Sequence, residues 1–199
     1  MKTFLVSLGC PKNLTDTEVL MGKLAAQGDE ITTDPAEADT IIVNTCAFLK
    51  SARDEAAAVI KEMAQWKKKG KCKKLYIAGC WPELLKHKPP SPSACPDSHI
   101  GGRGVWGEGI DDVIDSLGLF EFNEPRIKAT PPWTAYVKIA EGCDHRCTYC
   151  LIPTIRGNYQ IREIRGIVKE IKGLAQRGVK EVILIAEDMA DILTEVTFN

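Results

Sequence analysis

Apolar residues along the first ninety positions fall into short runs separated by segments of helical period, the pattern of strands joined by crossover helices. Thr3 to Leu8 predicts a first strand. From Thr15 to Ala26, Val19, Leu20 and Leu24 share one helical face, and Thr15 with Glu18 spells a capping box at its start. Thr40 to Asn44 predicts a second strand, Ser51 to Lys69 a long helix rich in Ala, Glu and Lys, and Leu75 to Ala78 a third strand. The order is βαβαβ, which predicts a parallel sheet.

Between Lys86 and Gly109 the periodicity fails: four prolines lie between Pro89 and Pro96 and five glycines between Gly101 and Gly109, so the stretch reads as a loop or a disturbed segment. Ile110 to Leu119 predicts a short helix, and Glu124 to Pro132, with three prolines, an interdomain linker. A strand is then expected from Trp133 to Ala140, a helix from Arg162 to Arg177 ending at Gly178, and a continuous apolar strand of the buried parallel type from Val179 to Ala186. The chain thus divides into residues 1–88, an irregular segment and linker at 89–132, and a second domain at 133–199.

With 44% hydrophobic and 27% charged residues the 199-residue chain is an ordinary globular protein, and its net charge of -1 gives no global field for nucleic acid or membrane. No stretch approaches the ~18 apolar residues of a membrane span, and the run before Cys10 is shorter than a signal sequence needs. The expected compartment is therefore the cytoplasm, with no membrane partner. In that reducing setting the eight cysteines point to metal or catalysis rather than to disulfides.

Cys10, Cys46 and Cys80 each follow one predicted strand, at intervals of 36 and 34 residues, about one crossover unit. Parallel strands share one carboxyl edge, so three distant thiols are expected to meet where open α/β sheets place ligands. The alternative is three small residues filling turns. Cys143, Cys147 and Cys150 form a CxxxCxxC loop directly after a strand. Structural zinc wants four closed ligands, whereas a four-iron cluster on three thiolates keeps one iron open; His145 is the residue that could complete a zinc site.

CxxxCxxC after a first barrel strand resembles the radical S-adenosylmethionine enzymes. Lys138-Ile-Ala-Glu-Gly-Cys143 through Ile152-Pro-Thr-Ile-Arg156-Gly157 is similar to their methylthiotransferase branch. Ser7-Leu-Gly-Cys10-Pro-Lys-Asn-Leu-Thr-Asp-Thr-Glu18, Val43-Asn-Thr-Cys46-Ala-Phe and Ile77-Ala-Gly-Cys80 resemble the domain that carries that branch's other cluster. The likeness covers roughly residues 1–86 and 133–187. It implies an α/β fold: an amino-terminal parallel-sheet domain followed by the first βα units of a partial radical-SAM, TIM-like barrel. It also implies two 4Fe-4S clusters, one on Cys10, Cys46 and Cys80 to supply sulfur and one on Cys143, Cys147 and Cys150 to bind S-adenosylmethionine and pass it an electron. The cofactor carries the hard step, a carbon radical that abstracts hydrogen. Tyr149 matches a position where the family packs an aromatic near the adenine, its alternative being a core aromatic.

Gly-Cys-Pro-Lys-Asn and Glu-Gly-Cys-Asp are closer to the members acting on ribosomal small-subunit protein twelve than to those modifying tRNA adenosine. The implied product is a methylthio group on the β-carbon of an aspartate. The implied partners are that protein or the small ribosomal subunit, and an electron donor such as flavodoxin or ferredoxin. Alternatives are the tRNA-modifying relative and a non-catalytic iron–sulfur or zinc module.

Weaker signals are read conservatively. Cys72 and Cys95 match no ligand position and are expected to be free thiols. Trp66 to Lys74 is a basic run expected to be a solvated face, a ribosome contact being the alternative. Gly102 to Gly107 spells a dinucleotide fingerprint without a preceding strand. Arg156, Arg162 and Arg165 read as surface residues, or as the substrate side of the barrel. The stretch from Trp133 supplies about a third of the 200–250 residues of a complete barrel, and the match stops after Asp188. A truncated chain is expected, with Gly102 to Gly109 and the last residues resembling what a shifted reading frame writes. Catalysis by so short a barrel alone is not expected.

Overall fold

The computed structural model describes residues 1–86, 109–114, 118 and 123–189. Five parallel strands form the first sheet: β1 (Lys2–Ser7), β2 (Glu30–Thr32), β3 (Thr40–Thr45), β4 (Lys74–Gly79) and β5 (Asp112–Ile114), in the order β2-β1-β3-β4-β5. The expected βαβαβ core is present, with α1 (Pro11–Ala26) and α2 (Lys50–Ala64) as crossovers. Central β3 is buried at every position, as a strand covered on both faces must be. Ile41, Val43, Leu75 and Ile77 pack beneath Ala56, Ile60 and Met63 of α2 and Trp81 and Leu84 of α4 (Cys80–Lys86).

The structure departs from the sequence reading in several places. The helix expected over Ser51–Lys69 breaks at Gln65, leaving α3 (Trp66–Lys69) as a separate turn. Strand β2 was not expected, being three residues long and half exposed at the sheet edge. Where the helix expected over Ile110 to Leu119 would begin, β5 pairs with β4, because Asp111 accepts the Leu75 N–H at 2.7 Å and the Lys67 ammonium at 2.6 Å and draws the segment alongside; most of the rest of that expected helix lies outside the described residues. Most of the proline- and glycine-rich stretch, with the Gly102–Gly107 fingerprint and Cys95, lies outside the described residues.

Helix α1 differs most. It starts at Pro11, whose fixed φ and missing N–H suit the first turn, four residues before the expected start. No capping box forms: Thr15 Oγ1 donates to the Pro11 carbonyl, and Glu18 turns elsewhere. Val19 is buried as expected, but the other buried side chains, Asn13, Thr15, Asp16, Thr17 and Glu18, are polar. Asn13 and Thr17 turn to the carboxyl edge of the first sheet, whereas Asp16 and Glu18 face the second half of the chain. Glu18 accepts from Arg126 and from the Ala129 N–H, its carbonyl takes the Ile127 N–H, and a Cβ on Gly22 would meet the Pro125 carbonyl oxygen at 2.2 Å.

In the second half, β6 (Thr134–Lys138) pairs in parallel with β9 (Glu181–Ile185) beneath α6 (Ile164–Gln176), enclosing Ala135, Val137, Leu174 and Val179. The strand expected to Ala140 bends after Lys138 into β7 (Ala140–Glu141), which pairs antiparallel with β8 (Gln160–Ile161), and α5 (Ile152–Arg156) packs against α4 with Ile155 in the first core. Strand β9 is parallel as expected but half open rather than buried, with Ile183 and Leu184 exposed by 37% and 43% among the described residues.

Asp39 joins the amino ends of the strands: its Oδ2 accepts the Lys2 N–H at 3.0 Å, and its carbonyl takes the N–H groups of Lys73 and Lys74. The Lys2 N–H holds the Asp39 carboxyl below the usual carboxylate range, so its stabilising effect is full above the unfolded value and is lost as pH falls through the folded one. Urea unfolding of the parent and Asp39→Asn should therefore differ at about pH 6 and converge toward about pH 3.

Candidate metal centres

The three amino-terminal thiols lie at the carboxyl ends of neighbouring strands. Ser7 is level with Asn44, and Thr45 with Gly79, so the residues after β1, β3 and β4 leave the sheet along one edge. Cys10 caps α1, Cys46 follows β3, and Cys80 opens α4. A Cβ placed on Gly9 would lie 3.1 Å from the Cys46 sulfur, which shows how closely the first two loops approach.

Asn13 organises this edge. Its Nδ2 donates to the carbonyls of Leu8 (3.1 Å) and Thr45 (2.9 Å), just before Cys10 and Cys46 in sequence. Its Oδ1 accepts from the Cys80 thiol at 3.4 Å and from Arg156 Nη2 at 2.5 Å, and its carbonyl accepts from Asn44. One buried amide thus ties all three thiol-bearing loops together. Burial pushes the Cys80 thiol up to about 11, with the Arg156 guanidinium at 3.3 Å working against that rise. Thiolate ligation of a metal would remove the proton that burial retains.

The second thiol group sits on the loop between β7 and α5. Gly142 turns the chain at φ +75, where a Cβ would strike the Asn158 carbonyl at 2.2 Å, so glycine is required immediately before Cys143. The Cys150 N–H closes a turn on the Cys147 carbonyl at 3.0 Å. Cys147 is exposed, Cys143 and Cys150 are half-buried, and Tyr149 is 87% exposed, so Tyr149 is no core aromatic. Burial raises the Cys143 thiol, and the Asp188 carboxylate, 3.8 Å from it, adds to the rise. His145 pairs with Asp188 at 2.8 Å rather than turning to the thiols. Among the described residues, no three His, Cys, Asp or Glu side chains are close enough to hold one metal ion. Each thiol set nevertheless supplies three soft donors of the kind an iron–sulfur cluster takes.

The remaining candidates divide. Cys72 is a buried free thiol donating to the Lys74 carbonyl. Lys68, Lys69, Lys71, Lys73 and Lys74 form the expected exposed basic face. Arg156 and Arg162 contradict the surface reading: both are buried, because acidic residues from other elements surround them, and only Arg165 is exposed. Arg156 meets Asp16 at 2.9 Å and Glu141 at 2.7 Å, and Arg162 meets Glu170 at 2.7 Å. Burial works against the Arg156 charge, yet Asp16, Cys80 and Glu141 hold it more firmly protonated than usual. By sequence alone Asn13 goes unremarked, and Arg156 reads only as a surface residue or as part of the substrate side of the barrel. The available signal for Asn13 was the dense polar run Asn13 to Glu18 near the start of a crossover helix.

Residues 2–97 match the uncharacterized protein family UPF0004, and residues 137–192 the radical SAM superfamily. The ribosomal protein uS12 methylthiotransferase RimO of Desulforamulus reducens is 44% identical over 92% of this chain and 44% of its own length. The proteins of the same name from Trichlorobacter lovleyi and Solibacter usitatus are 43% and 42% identical, each over 94% of this chain and over 44% and 42% of their own lengths. The chain is similar over nearly all of its length to the RimO-like methylthiotransferases. That likeness implies a 4Fe-4S cluster and S-adenosylmethionine. This RimO-like chain spans under half the length of the curated relatives it matches. No helix among the described residues is long and apolar enough to cross a membrane.

Replacing Asn13 with Ala strands the Leu8 and Thr45 carbonyls in a buried setting. Asn13→Ala should lose about 2–3 kcal/mol in chemical denaturation, and the Cys46 thiol should label faster in the folded protein. Unchanged stability and labelling would show that the amide does not hold the edge.

Proposed function

We propose that this chain carries the two cluster-binding segments of a methylthiotransferase that modifies ribosomal protein uS12. In this reading Cys10, Cys46 and Cys80 ligate one 4Fe-4S cluster, and Cys143, Cys147 and Cys150 ligate a second that also binds S-adenosylmethionine. The observation that carries it is the alignment of Cys10, Cys46 and Cys80 along one carboxyl edge, joined through Asn13, with the CxxxCxxC loop docked beside that edge by α5. The proposed domains are residues 1–88 for the first cluster and 133–199 for the opening of the barrel, with 89–132 between them.

The bound groups would supply an electron, a carbon radical and sulfur for transfer to the β-carbon of an aspartate. The chain's own residues hold and shield. Asn13 fixes the three loop ends, and the buried core under β3 and β4 keeps water from the Cys80 side. Gly142 and the Cys147–Cys150 turn shape the second loop, whose exposed Cys147 leaves one side open to a small molecule. Tyr149 stands in solvent beside Cys150, where its ring can stack on an adenine. The proposed partners are uS12 or the small ribosomal subunit and an electron donor of the flavodoxin or ferredoxin kind. The proposed location is the cytoplasm.

Anaerobic reconstitution tests the ligand assignment directly. The parent chain should bind about eight irons, and Cys80→Ala and Cys147→Ala about four each. Zinc in place of iron would overturn the reading, and about four irons lost only in Cys80→Ala would remove the second cluster from it.

A further inference from the structure

Arg156 belongs to the second half of the chain, on α5, six residues after Cys150. Its side chain nevertheless ends inside the first half. Nη2 lies 3.3 Å from the Cys80 sulfur and 2.5 Å from Asn13 Oδ1, and Nη1 donates to Asp16 and Glu141. The side chain is 1% exposed. Ile155 beside it is buried in the first core, with Leu151 packed against the same cluster. Lys138 donates to the same two acids, Asp16 and Glu141, so the guanidinium is fixed by partners from three elements rather than held loosely by one.

Such a fork is oriented by the protein's own groups. A guanidinium donating to a ligating sulfur stabilises the more negative, reduced form of a cluster, because hydrogen bonds and charge at the sulfurs set its potential. An exposed arginine would do this weakly. A buried one, held by two carboxylates, keeps its donor aimed at sulfur in a low-dielectric surrounding.

We propose that Arg156 is a positioning residue for the amino-terminal cluster, reaching across from the S-adenosylmethionine loop to donate a hydrogen bond to the Cys80 sulfur and so favour the reduced cluster. The inference rests on the proposed assignment of Cys10, Cys46 and Cys80 as cluster ligands. It makes α5 a physical link between the two cysteine sites, since its first turn follows Cys150 and its last residue touches Cys80.

The test isolates the first cluster in a chain carrying Cys143→Ser, Cys147→Ser and Cys150→Ser, all on the loop between β7 and α5. About four irons in that chain support the ligand assignment, and iron near zero overturns both that assignment and this proposal. In the loaded, reduced protein labelled with nitrogen-15 arginine, pulsed electron paramagnetic resonance should show a nitrogen coupled to the cluster. Absence of that coupling with four irons bound overturns the role of Arg156 alone. In redox titrations, Arg156→Gln should bind the same iron, and its reduced-to-oxidised ratio at a fixed potential should fall roughly tenfold, with Arg156→Lys restoring part of it. An unchanged potential in Arg156→Gln would show that the arginine only packs. If Arg156→Gln does not fold, the coupling in the labelled parent decides the matter.

Discussion

A buried charged seam holds the two halves of this chain together. On one side stand Asp16 and Glu18 of α1, both fully buried; on the other stand Arg126, Lys138 and Arg156. Glu141 completes the group from β7. Buried charges are tolerated only when each is paired and hydrogen-bonded, and removing one partner leaves the others uncompensated at a cost on the order of 3–5 kcal/mol. The seam therefore acts as a geometric specification. It places β6 against α1 and α5 against α4 in one arrangement, since another would strand several charges out of water.

Both candidate metal centres depend on that arrangement. The thiols of Cys10, Cys46 and Cys80 follow from the parallel sheet alone, but the guanidinium that touches the Cys80 sulfur arrives with the second half. Asn13 belongs to both systems, tying the loop ends through its Nδ2 and receiving Arg156 on its Oδ1. A helix that reads as an ordinary crossover is thus the floor of one site and the anchor for the other.

The parallel core was legible because strand length, crossover spacing and a cysteine after each strand all pointed the same way. The polar side of α1 was not, because periodicity sees only apolar positions, the residues that satisfy Asp16 and Glu18 lie more than a hundred positions away in sequence, and those that satisfy Asn13 are scattered from Leu8 to Arg156. Strands β2 and β5 were hidden for another reason: each is three residues long and gains its register from a neighbour rather than from its own pattern. Arg156 looked like a surface arginine because nothing local to it carries the acids that bury it. The CxxxCxxC loop was readable from spacing alone, while the exposure of Tyr149 and the pairing of His145 with Asp188 required coordinates.

Native-state hydrogen exchange tests the central claim most directly. If the seam makes the two halves one cooperative unit, the slowest amides of β6, such as Val137, should open with the same free energy as those of β3, such as Val43. In Asp16→Ala the β6 amides should fall below the β3 set. A parent chain in which β6 already opens well below β3 would contradict the account, since the halves would then be joined by the chain and not by the buried charges.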